Sequence, residues 1–162
     1  MLLLAVACQN ASKPDGAAAS SVQPSASVVA PVAAAPAKPW FEGSWQGTFQ
    51  AELNRIELPA SGVKEWKQDD GKESSGEGKL SLAASSTGDV TGTAVGALGE
   101  LNVAGRIDGD RAALTLTPRQ VDGFHGVILA SQTPEGLKGT LNASSADSLQ
   151  VRRANVTLTR AE

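Results

Sequence analysis

From Pro39 to Glu162 apolar and polar residues alternate in short runs broken by Gly, Asp and Pro, the pattern of half-buried strands joined by tight turns. Trp45, Phe49, Ala51 and Leu53 share one face, with Gln46, Thr48, Gln50 and Glu52 on the other. Leu101, Val103 and Ile107 alternate in the same way with Glu100, Asn102 and Arg106. The alternation predicts eight strands, near residues 44–53, 78–86, 89–96, 100–108, 111–117, 124–132, 136–143 and 151–160. No segment has the period of a long amphipathic helix.

The links between these runs are short, so successive strands are expected to be antiparallel neighbours. Asp108-Gly109-Asp110 supplies the positive φ of a two-residue hairpin turn, and Pro134 and Gly136 suit a β-turn. A five-residue pattern, apolar-x-Gly-x-apolar, recurs as WQGTF (45–49), VTGTA (90–94), VAGRI (103–107), FHGVI (124–128) and LKGTL (137–141). Its first, third and fifth residues share a face, which puts each Gly between two core positions. Glycine there sacrifices packing, and strong strand curvature is what it permits. The fold expected is all-β: an eight-stranded antiparallel up-and-down barrel, with a two-sheet β-sandwich as the competing layout. The barrel layout, with Gly43-Ser44-Trp45 at its first strand, resembles lipocalin-like and streptavidin-like barrels.

Two features break the regular pattern. Residues 54–79 are too long for a hairpin turn, and within them Ile56, Leu58, Val63 and Trp66 are apolar. In the strand at 124–132, Val127 and Leu129 are apolar on the face that other strands keep polar. The expectation is that the insertion folds over that strand. If it does not, Trp66, Val127 and Leu129 are candidates for a ligand- or partner-binding surface.

Ahead of the domain the composition changes. In residues 9–38, Ala, Ser, Pro and Val make up 23 of 30 positions, with no aromatic residue and no Leu. Such a segment buries too little apolar surface to offset its ordering entropy and reads as a tether. Before it stands the chain's only cysteine, in Leu4-Ala5-Val6-Ala7-Cys8. That order resembles the end of a bacterial lipoprotein signal. The resemblance implies that residues 1–7 are the tail of a signal peptide whose basic beginning lies upstream, that Cys8 is lipidated, and that residues 8–38 link a membrane anchor to a domain at 39–162. Gln9 after the cysteine implies an outer-membrane lipoprotein of a Gram-negative cell envelope, facing the periplasm or the surface.

A formal charge of -3, with both signs scattered, lacks the concentrated basic stripe that nucleic acid calls for. One Cys permits no intramolecular disulfide and no paired-Cys metal site. His125 has no second His as a metal-site companion. Asp69-Asp70-Gly71 and Asp108-Gly109-Asp110 read as turn formers, since neither is followed by calcium-loop spacing. Arg152-Arg153 reads as a solvated pair. Strict alternation from Val156 and Leu158 turns Arg152 inward, a problem that a bulge near Ala154 would remove. No nucleophile, base and orienting group can be assembled, so no enzyme, cofactor or metal is expected. The function predicted is a non-catalytic, membrane-tethered module that contacts an envelope protein or plays a structural role in the envelope. The alternative is a lipocalin-like carrier of a small apolar ligand, and the interior volume separates the two.

Overall fold

The computed structural model describes residues 37–55 and 69–161. Eight strands follow in order: β1 (Gly43–Leu53), β2 (Gly76–Ala84), β3 (Asp89–Gly96), β4 (Gly99–Asp108), β5 (Arg111–Pro118), β6 (His125–Thr133), β7 (Gly136–Ser144) and β8 (Val151–Arg160). Each pairs antiparallel with the next and β8 returns to β1, closing an up-and-down barrel. The sandwich alternative is thereby set aside. β2 lies two residues earlier than the alternation predicted. Ser85 already belongs to the turn, donating its N–H to Asp89 O (2.9 Å) and accepting that of Gly88 (3.0 Å).

The period-2 pattern works as a sorting rule. Trp45, Phe49, Leu80, Leu101, Leu116 and Ile128 are among the 24 buried apolar residues that, of those described, fill one continuous core, each fully buried Leu, Ile or Phe contributing about 1.5–3 kcal/mol of transfer free energy. The opposite faces carry Thr48, Gln50, Asn102, Thr115 and Asn155, all exposed. A polar wall around an apolar interior is the reverse of a lipid-facing barrel.

The recurrent glycines mark where neighbouring backbones close in. A Cβ on Gly105 would lie 2.7 Å from Leu114 Cα and closer still to Ala113 O, and one on Gly126 would lie 2.6 Å from Asn142 O. Gly47, Gly92 and Gly139 meet the adjacent strand's carbonyl in the same way, at Thr157, Ser81 and Leu129. The curvature inferred from the pattern is therefore present, but the obstacle to a side chain is the next strand's backbone more than the core.

The two mouths of the barrel differ. At one, the turns are short and residues 39–42 form a strap in front of β1, with Glu42 N–H bonded to Pro39 O (3.2 Å). At the other lie residues 54–55 and 69–75, the described ends of the β1–β2 connection, with 119–124, 145–150 and the β3–β4 turn. Buried Leu98 and Phe124 sit at this second, insertion mouth.

Candidate functional site

Among the described residues Arg152 is the one charged side chain that is buried, with no exposed surface. The pairing of β8 with β7 runs without a slip from Leu137↔Leu158 to Ser144↔Val151, so there is no bulge near Ala154. Alternation therefore carries the arginine inward, and the solvated pair expected from sequence does not exist. Its guanidinium forks onto Asp69, with Nη1 at 2.5 Å from Oδ2 and Nη2 at 2.9 Å from Oδ1. It also donates to Glu73 O at 2.6 and 3.2 Å and to Val151 O at 2.9 Å. Five contacts to three residues satisfy the planar fork, which is what a buried charge requires.

Asp69 still forms the turn that the sequence predicted, accepting the Gly71 N–H at 3.0 Å. The Arg152 hydrogen bonds hold its carboxyl below the ordinary value of 3.8 against the opposing effect of burial, with help from the Gly71 N–H. Around it, Lys72 pairs with Asp70 (2.6 Å) and Gln150 Nε2 donates to Glu73 Oε2 (3.3 Å). These partners neutralise or occupy the acidic groups. Among the described residues no group of three His, Cys, Asp or Glu side chains is placed to hold a metal.

The strap mouth is aromatic. Trp40 meets Phe41 and Trp45 edge-on, with centroids 5.7 and 6.0 Å apart. Trp45 donates its indole N–H to Phe41 O (2.8 Å), and Trp40 donates its own to Gly109 O (3.2 Å). Arg160, the last residue of β8, stacks 5.9 Å from the Trp45 ring and donates to Trp40 O (3.0 Å) and to Glu42 O. Nothing in the local pattern singled out Arg160. Its role depends on a strap 118 to 120 residues away.

On the outer wall, Val127 and Leu129 are 44% and 57% exposed and lie on the face that sequence assigned to them. Leu129 stands opposite Ala113 of β5, which extends the strip, and polar Asn142 and Thr140 of β7 flank it. His125 is exposed at the start of β6. Cys8, Trp66, Ile56, Leu58 and Val63 lie outside the described residues, as does the expected cover of the strip. A second feature of the wall, missed from sequence, is a polar trough over β1. Grooves of about 490 and 470 Å³ share Gln50 and Asn155, with Thr48 and Thr157 on one side and Glu52 and Arg153 on the other. No protein-family model, curated protein or solved structure matches the chain.

Proposed function

We propose that the protein is a membrane-tethered, extracytoplasmic binding module without catalytic chemistry, working through the outside of its barrel in the envelope of a Gram-negative bacterium. The observation that carries this reading is a contrast between the two faces. Apart from Arg152 at the insertion mouth, the described interior face is apolar and occupied by its own side chains, with Leu98 and Phe124 at one mouth and Trp40 and Phe41 packed against the core at the other. Val127 and Leu129, by contrast, present apolar surface to solvent. Carriage of an apolar ligand needs an open mouth and an unfilled lumen, so the packed interior favours the module over the lipocalin-like carrier. Anchoring rests on Cys8 and its preceding Leu-Ala-Val-Ala order, and a multiply acylated cysteine holds to a bilayer where a single chain does not.

The test expresses the chain behind a complete lipoprotein signal peptide. Wild type should partition with membranes and carry acyl mass on Cys8, and Cys8→Ser should abolish both. In that released variant, crosslinking from a photoreactive residue at Thr140 should trap an envelope protein, and Leu129→Asp should remove that product. A wild-type protein without acyl mass defeats the anchor. A native extract in which the barrel retains a small apolar molecule defeats the module in favour of the carrier.

A further inference from the structure

Seven of the eight strand pairs have unbroken ladders over their paired residues, and the eighth does not. Between β1 and β8 pairing runs from Trp45↔Arg160 to Phe49↔Val156, lapses at Gln50 and Ala51, and resumes at Glu52↔Arg153 and Leu53↔Arg152. The register is the same on both sides, so the lapse is a local loss of ladder pairing and not a slip. The two outer grooves meet there, both lined by Gln50 and Asn155.

This same junction joins the first strand to the last. Every other pair is closed by the chain segment between consecutive strands, whereas Trp45 and Arg160 are brought together across nearly the whole domain. Loop-closure entropy makes such a pairing the costliest to form and the first to be released. What compensates is placed at its ends. Arg160 grips Trp40 O and Glu42 O, just before β1. Arg152 grips Asp69 and Glu73, at the end of the β1–β2 connection just before β2. Both arginines belong to β8, and both hold chain on the β1–β2 side of the junction.

We propose that the β8–β1 junction is a built-in opening joint of the barrel, unpaired at its middle and held shut by the Arg152 and Arg160 clamps. When it opens, β1 stays paired with β2 and β8 with β7, and the apolar interior becomes accessible along the line between Gln50 and Asn155. The joint does not depend on the anchor or on the identity of any partner.

Native-state hydrogen exchange on the full chain carrying Cys8→Ser tests this. Amides bonded across the junction should exchange through a partial opening, about tenfold or more faster than those bonding β3 to β4, because that opening breaks fewer interactions than global unfolding. Thr48 and Thr157 face each other on the outside of the junction. A disulfide from Thr48→Cys and Thr157→Cys should slow the junction amides to the β3–β4 rate and leave other strands unchanged. Arg160→Met should accelerate the junction about tenfold without touching β3–β4. Equal rates at both places in the Cys8→Ser chain, or a disulfide that leaves the junction unchanged, would overturn the joint. Uniform acceleration by Arg160→Met would assign that residue to global stability and overturn its part as a clamp.

Discussion

Arg152 and Asp69 are 83 positions apart in sequence and meet in a two-pronged ion pair at the insertion mouth, the arginine with no exposed surface and the carboxylate with only 9%. The pair fastens β8 to the end of the connection between β1 and β2. Its energetic value lies in not being broken. A buried pair does little better than a well-packed apolar substitute, but removing one partner strands the other.

Asp69→Asn should therefore destabilise the protein toward the lower end of about 3–5 kcal/mol, because Glu73 O and Val151 O still accept from Arg152. Asp69→Leu with Arg152→Met should cost less than either single change. The folded-state carboxyl titrates below 3.8, so the stabilisation from ionised Asp69 is complete above about pH 4 and is lost as pH falls through the depressed value. Urea midpoints between pH 2 and 7 should show wild type losing stability below about pH 4, with a shallower decline in Asp69→Asn. Parallel curves would remove Asp69 from the acid response.

Two glycines separate backbone crowding from turn conformation. Gly105 leaves no room even for a methyl group beside Ala113 O and Leu114 Cα, so Gly105→Ala should cost in the upper half of about 1–3 kcal/mol. Gly109 has φ +58 and open space around it. Gly109→Ala should cost only about 1–2 kcal/mol for the left-handed conformation, and Gly109→Asn less. Denaturant midpoints of the three variants decide it; a tolerated Gly105→Ala would mean that the strands can move apart there.

How much of this was readable in advance follows from the range of the interactions. Strand positions and closure were readable because Leu101, Val103 and Ile107, or Leu114 and Leu116, sort to one side by a period of two, and because the turns beside Gly109 and Gly136 leave no room for crossovers. Alternation even pointed Arg152 inward. The prior against a buried charge argued for a bulge instead, since its partner lay in a charged loop where Asp69 looked like a turn former alone. Asp69 does both. The grip of Arg160 on the strap and the lapse at Gln50 arise only once the two ends of the chain meet, and no local pattern encodes them.

Val127 and Leu129 stand on the wall with little to lose. Replacing both by Thr puts a β-branched, strand-compatible side chain at each position, and stability should stay within about 0.5 kcal/mol for each. Thermal melts of the double variant check this. A drop of several kcal/mol would mean that the strip is covered in the protein's own fold and is not a free binding surface.

The strap gives the last prediction. Residues 9–36 contain no aromatic residue and no Leu, whereas Trp40 and Phe41 pack against the core and tie down both Trp45 and Arg160. Removing residues 1–36 should leave the melting temperature within about 2 °C, as expected for the removal of a tether and the signal residues before it. Removing residues 1–42 takes away two partly buried aromatics, the acceptor of the Trp45 indole N–H and both carbonyls held by Arg160. The loss should be about 2–4 kcal/mol, below the full value for buried aromatics because both are only half covered, and should lower the melting temperature by roughly 8–16 °C. It should also red-shift the emission of Trp45, whose ring the strap shields, with Trp66 first replaced by Phe so that Trp45 is the only indole left to report. If the two truncations melt together, the strap is an ornament of the barrel mouth and the domain begins at Gly43.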